Sequence, residues 1–260
     1  MAGGGMASGA TNSVDLKSSY QATIAAKSAK ETLHEVVDAG GKRVTIEGSG
    51  VTSAQGDGTF TLHDSGQTIA LVVDSGVLYM KVPAANLAAL HVTTPWISFN
   101  LASLTQATVG QSYAQLVSEG QQGPTQSLAV LQAASASGIH KVGAATVDGT
   151  HTTEYRTTID LSKLGSASGK PALGSAIQQL EAQSHVTSLP VKVWLDGQKR
   201  VRRMTEDVRV PGTGAHRAAS ADITVDIPAF DVPVNVIPPA AGQDTDETAA
   251  AIASTSASQT

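Results

Sequence analysis

Residues 147–164 read VDGTHTTEYRTTIDLSKL and place His151, Glu154, Tyr155, Arg156 and Asp160 within a short span. Those residue types could build an acid–base site, so their arrangement decides between an enzyme and a scaffold. The segment opens on Asp-Gly, a dipeptide favoured in tight hairpin turns. Side chains of an extended strand alternate between two faces. Thr150, Thr152, Glu154, Arg156, Thr158 and Asp160 share one parity, and His151, Thr153, Tyr155, Thr157, Ile159 and Leu161 share the other. The three strong charges fall together and the large apolar side chains fall opposite them. That sorting predicts a half-buried strand, wet on one side. Glu154 and Arg156 then pair weakly in solvent. Tyr155 points inward with a hydroxyl that needs a partner. A hydrolase built on His151, Glu154 and Tyr155 is the reading this pattern disfavours.

The same hairpin grammar runs along the chain. Strand-like runs such as KRVTIEGSGVTS, TFTLH, QTIALVV, VLYMKV and VKVWL alternate with AGG, QGDG, DSG and DG turns. Repeated tight turns imply antiparallel neighbours, because a parallel crossover needs a dozen or more residues. The GSG at 48–50 reads as a bulge or a barrel-type bend. Helical patterns are few and narrow. Leu16, Tyr20 and Ile24 recur at helical spacing, and Tyr113, Leu116 and Val117 suggest a second stripe. Pro124 and Pro171 each suit a first helical turn, leading to Leu128 and Leu131 in one case and to Ile177 and Leu180 in the other. Such Ala- and Ser-rich helices need an apolar partner, and the sheet's inner face is the natural one.

The chain has 260 residues, 41% hydrophobic and 3% aromatic, with a net charge of −5. Scarce aromatics and the absence of a basic run argue against nucleic acid as a partner. No cysteine is present, which removes disulfides and thiolate chemistry. No run approaches the length of a membrane-spanning helix. The seven histidines, His34, His63, His91, His140, His151, His185 and His216, lack zinc-ligand spacing, so no metal is expected. There is no nucleophile elbow and no phosphate-binding glycine motif. Catalytic residues and cofactors are therefore expected to be none. Residues 1–13 are expected to be a flexible Gly/Ala/Ser-rich spacer, 14–238 a single domain, and 239–260 a disordered tail. The basic QKRVRRM at 198–204 suggests a solvated edge strand whose cations discourage edge pairing. Its Arg200, Arg202 and Arg203 are candidates for docking to anionic headgroups or an acidic partner.

The order of segments resembles the actinobacterial LppX/LprG-type lipoproteins, which share a fold with the LolA/LolB lipoprotein carriers. VTIEGSGVTSAQGDGTFTL, PWISFNL, KVGAATVDGTHTTEYRTTIDLSKL, LPVKVWLDGQKRVRRMTEDV and FDVPVNVIPP carry the resemblance, over about residues 17–239. It implies an α+β fold: a strongly twisted, half-open antiparallel sheet, an incomplete barrel, with a few short helices on its concave face. It also implies a hydrophobic cavity for a lipid or acylated ligand, and export to the cell envelope. A lipidated N-terminal cysteine usually anchors such proteins. This sequence has none, and AGGGMASGA resembles the spacer that follows it, so anchoring is expected only in a longer precursor.

Inward strand parity nominates Val72, Leu78, Met80 and Val193 as cavity lining. Helix faces nominate Leu116, Leu128, Leu131 and Ile177, and Tyr155 is placed in the core or at the cavity mouth. The expected function is a non-enzymatic lipid-binding or lipid-carrier protein, monomeric, meeting the membrane surface or a lipid donor or acceptor protein. The alternative is an envelope protein-interaction module with a closed core and no lipid.

Overall fold

The structure is a computed structural model that describes residues 14–64, 66–103, 124–135, 138–163, 186–212 and 218–257. Its strands follow the hairpin grammar of the sequence. The first five are β1 (Ser28–Ala39), β2 (Lys42–Ser53), β3 (Gly58–Asp64), β4 (Gln67–Asp74) and β5 (Val77–Lys81). Then come β6 (Trp96–Asn100), β7 (His140–Val147), β8 (Thr150–Asp160), β9 (Ser188–Leu195), β10 (Val201–Val210) and β11 (Ala219–Phe230). A short β12 (Asp244–Asp246) completes one twelve-stranded sheet, ordered β12-β6-β5-β4-β3-β2-β1-β11-β10-β9-β8-β7. All pairings are antiparallel except β12 with β6. The sheet does not close, so the half-open α+β architecture expected from the sequence is what forms.

Turn chemistry sets the registers. The β1–β2 turn holds Gly40 and Gly41 at φ 63° and 81°, and the β7–β8 turn holds Asp148 and Gly149 at 47° and 76°. Two consecutive positive φ angles match the twist of the flanking strands. The β9–β10 connection differs: Lys199, not Gly197, carries the positive φ, at 62°. That longer turn is closed by Asp196, as described below.

β2 carries no bulge. Its pairing to β1 and β3 is continuous through Gly48 and Gly50. A Cβ on Gly50 would lie 2.2 Å from the Thr59 carbonyl oxygen, whereas one on Gly48 would meet mainly the flexible Leu62 side chain, at 2.8 Å. Backbone cannot move aside as a side-chain tip can. Gly50→Ala is therefore expected to cost about 1–3 kcal/mol, lowering the melting temperature by several degrees, and Gly48→Ala less. Circular dichroism melts check this; an unchanged Gly50→Ala midpoint would contradict it.

The core has two parts. In the first, α1 (Leu16–Ile24) and a 3-10 helix (Pro124–Ala133) cover β8 to β11. Leu16, Leu128 and Leu131 pack there with Val193, Met204 and Ile227, all essentially inaccessible. Each such side chain contributes roughly 1.5–3 kcal/mol by leaving water. Leu128 and Leu131 are three apart, the spacing that eclipses side chains on a 3-10 helix, so this stretch buries its stripe without being α-helical. In the second part, Leu78, Val82, Ile97, Phe99 and Leu101 pack with Ala251.

Two expectations change here. The α1 stripe is Leu16, Ser19 and Thr23, while Ile24 is 42% exposed. Small residues let the helix approach β10 closely. Thr23 Oγ1 accepts from the Val201 amide at 2.8 Å and donates to the Ser19 carbonyl at 2.7 Å. The chain past Pro238 also departs from the expected disordered tail. β12 pairs with β6, and α2 (Thr248–Ala257) follows it. Ser98 donates to Asp244 at 2.6 Å, and the Thr248 hydroxyl accepts from the Asn100 amide at 2.8 Å. The Ala/Ser/Thr-rich composition hid this, because among the described residues the tail is held by strand pairing, polar capping and the buried Ala251.

Candidate functional site

Cross-strand register lines up the concave face. One row runs Ile69, Leu62, Gly48, Leu33, Val225, Met204, Val193 and Tyr155 across β4, β3, β2, β1, β11, β10, β9 and β8. The next row, two residues along each strand, runs Ile97, Met80, Leu71, Phe60, Gly50 and Glu31. Residues directly opposite in antiparallel pairs share a face, so these rows form one apolar band. Its β8–β11 part lies under the helices. Leu33, Phe60, Leu62, Ile69 and Leu71 are only half-buried. Carboxyl groups border the band. Glu31 ends it on one side, and Glu35 and Asp64 lie in the row beyond Leu33 and Leu62. Burial raises the Glu35 carboxyl above its ordinary pKa.

The nominated residues fall unevenly on this surface. Leu128, Leu131 and Val193 are fully buried in the first core, and Leu78 in the second. Met80 and Tyr155 are half-buried at the margins of those cores. Val72 pairs with Thr59 and Tyr79 and so projects to the face opposite Leu78 and Met80. Its error is one of parity: β4 puts Leu71 and Val73 inside. Leu116 and Ile177 lie outside the described residues. The half-buried set was readable, since Phe60 with Leu62 and Ile69 with Leu71 alternate within TFTLH and QTIAL. From Tyr155 onward β8 follows its predicted sorting, with Tyr155 opposite Val193 and Glu154 pairing with Arg156 at 3.3 Å on the other face, but at its start His151 is exposed and Thr152 buried.

The basic hairpin is not an edge. β10 lies between β9 and β11, and its arginines are engaged within the fold. Asp196, 5% exposed at its side chain, accepts from Arg200 Nε at 3.2 Å and Arg202 Nε at 2.9 Å. It also accepts from the Gln198 and Arg200 amides. Burial alone would raise its pKa, but the Arg200 amide, the Arg202 guanidinium and the Arg200 charge hold it below the ordinary value. Both guanidiniums lie over the Phe230 ring, at 4.3 and 4.6 Å. Arg202 sits at an irregularity in β10 and donates to the carbonyls of Ile227 and Pro228. Arg203 pairs with Asp226 on the convex face. Arg202 is only 12% exposed at its side chain, which leaves little of it for docking.

A separate cleft of about 440 Å³ lies at one end of the concave face. Tyr20 and Thr23 of α1 border it, together with Glu31, Thr52, Ser53 and Asp57. A smaller apolar cleft of about 240 Å³ runs beside α2, between Leu90, Ile97, Phe99 and Ala251. Among the described residues no cluster of His, Asp or Glu could hold a metal ion.

Comparison with solved structures finds similar chains at low sequence identity. The chain is similar to lipoprotein LppX of Mycobacterium tuberculosis, at 16% identity over 85% of this chain and 98% of that one, with a TM-score of 0.48. It is similar to LprF of Mycobacterium bovis, also at 16% identity, over 87% and 96% of the two chains, with a TM-score of 0.47. A LolA superfamily protein of Nitrosomonas europaea follows at 9% identity, over 86% and 93%, with a TM-score of 0.29. No family model matches the sequence, and no curated protein matches it. The resemblance read from the sequence thus reappears among solved structures.

Proposed function

We propose that this protein is a non-enzymatic lipid-binding protein of the cell envelope, holding acyl chains against the concave face of its sheet. One observation carries the reading: the band formed by Leu33, Phe60, Leu62, Ile69 and Leu71 is apolar, contiguous and only half-buried. A folded chain buries such a strip or uses it. An acyl chain needs area and shape rather than polar contacts, and each methylene taken from water contributes about 0.8 kcal/mol. Neighbouring strands are about 4.8 Å apart, so a long chain laid across β1 to β5 would touch several side chains of the band. Export to the envelope follows from the sequence resemblance and belongs to the same proposal. The rival reading, docking through the basic hairpin with a closed core, draws no support from arginines committed to Asp196, Asp226 and Phe230.

Titration with a fluorescent fatty acid tests the reading. Saturable uptake with an emission blue-shift, competed by unlabelled lipid, is expected. No uptake across a series of chain lengths would contradict it.

A further inference from the structure

The two edges of the sheet are finished differently. At one end the chain covers β6 with its own tail: β12 pairs along Trp96–Ser98, and the covering segment is acidic, with Asp244, Asp246 and Glu247. At the other end β7 pairs with β8 and with no other described segment. About half of the backbone amides and carbonyls of an edge strand point away from its neighbour, and they form a template for another chain. Folded proteins blunt such edges with charge, proline or bulges. β7 does so only at its first residues. A register shift lies between Lys141 and Gly143, where Val142 stands out of the pairing and is 46% exposed. From Gly143 to Val147 the strand pairs in unbroken register with Glu154 to Thr150. That stretch, GAATV, has small or β-branched, uncharged side chains, and Ala144 and Thr146 are exposed. Such side chains leave room for a further strand. The cations at this end set what that strand would carry. His140, Arg156 and Lys192 lie directly opposite one another across β7, β8 and β9. Lys141 opposes Tyr155 and so projects from the other face. Arg156 and Lys192 are both exposed, and like charges directly opposite one another destabilise a sheet. Arg156 gives its Nε to Glu154 at 3.3 Å, which leaves its terminal nitrogens as donors. His140, Lys141 and Lys192 form no ion pair among the described residues.

We propose that the open edge of β7 is a docking site for an extended segment of a partner protein, strand-forming in its body and acidic at the end that meets His140 and Lys141. A strand added about 4.8 Å from β7 places one side chain opposite His140 and the next opposite Lys141, on the two faces of the sheet. Carboxylates at those positions meet Lys141 and Arg156 and offset the like-charge apposition. Main-chain hydrogen bonds along Gly143–Val147 supply affinity, and the cations supply register and choice of partner. The site is separate from the concave band and does not depend on the lipid-binding reading.

Fluorescence anisotropy of the full-length protein with three labelled octapeptides tests this. The first alternates threonine and valine and ends in two glutamates. The second ends in two lysines instead, and the third repeats the first with its central amides N-methylated. Saturable binding of the first is expected, roughly tenfold weaker for the second, a difference of about 1.4 kcal/mol, and lost for the third. Lys141→Glu, at an exposed position, should keep the parent melting midpoint, weaken the glutamate peptide about tenfold and strengthen the lysine peptide. Equal binding of the N-methylated peptide would overturn strand addition. Equal binding of the glutamate and lysine peptides, or an equal effect of Lys141→Glu on both, would overturn the acidic partner. Binding of none of the three would overturn the docking site. Sedimentation velocity of the free protein should give a monomer; a dimer that Lys141→Glu dissociates would assign the edge to a second copy and overturn the proposal as well.

Discussion

Leu62→Glu is expected to weaken uptake of a fatty-acid probe by about 10–100-fold. Leu62 lies at the centre of the half-buried band, with Gly48 and Leu33 on one side and Ile69 on the other. A carboxylate there must either stay hydrated, keeping the acyl chain away, or be covered by it without a partner. Covering an unpartnered polar group costs about 1–3 kcal/mol, and each 1.4 kcal/mol is about tenfold in affinity. The control is its neighbour. Thr61 pairs with Ser49 and Ala70 and so projects from the opposite face. Thr61→Glu should therefore leave uptake unchanged. If both variants bind the probe like the parent, the ligand does not lie on this band. If both lose it alike, the effect is general to β3 rather than confined to the concave face.

Asp196→Ala is expected to be the most destabilising single substitution in the β9–β10 hairpin, at about 3–5 kcal/mol, because it strands two largely buried guanidiniums. The carboxylate closes the turn through the Gln198 and Arg200 amides and gathers Arg200 and Arg202 over Phe230. Arg202 in turn satisfies the Ile227 and Pro228 carbonyls, where the β1–β11 register shifts. Losing Asp196 would thus loosen β10 and β11 together. A pH signature accompanies this. The Asp196 pKa is lower in the folded protein than in the unfolded chain, so its contribution is fully present above the ordinary aspartate range. It is lost as pH falls through that range and below. Asp196→Asn should flatten the acid limb of the melting curve, and Asp196→Ala should lower the midpoint at neutral pH. A neutral-pH midpoint within a degree of the parent would contradict the proposed role.

Much of the sheet could be read from local rules. Asp148-Gly149 forces positive φ in a two-residue turn, and the charges of β8 sort by parity as a half-wet strand requires. What misled was information carried by partners distant in sequence. QKRVRRM looks like a solvated edge until Asp196, Asp226 and Phe230 are placed against it; two of those lie more than twenty residues away. The α1 stripe was displaced because Thr23 binds the Val201 amide, a contact that hydrophobic periodicity does not record. β12 and α2 form on a surface that only the folded β6 provides. For the candidate site, alternation in TFTLH and QTIAL places Phe60, Leu62, Ile69 and Leu71 on one face, although none of the four was nominated from the sequence. Which face of β4 looks inward depended on the register with β3, and so Val72 was misassigned.

The most direct measurement is native mass spectrometry of the purified protein, followed by solvent extraction and lipid analysis of the same sample. A noncovalent adduct of acyl-lipid mass, released by the solvent and absent from the Leu62→Glu variant, is the predicted result. A bare polypeptide mass, with no lipid in the extract and none acquired on incubation with lipid, would contradict lipid binding on the concave face.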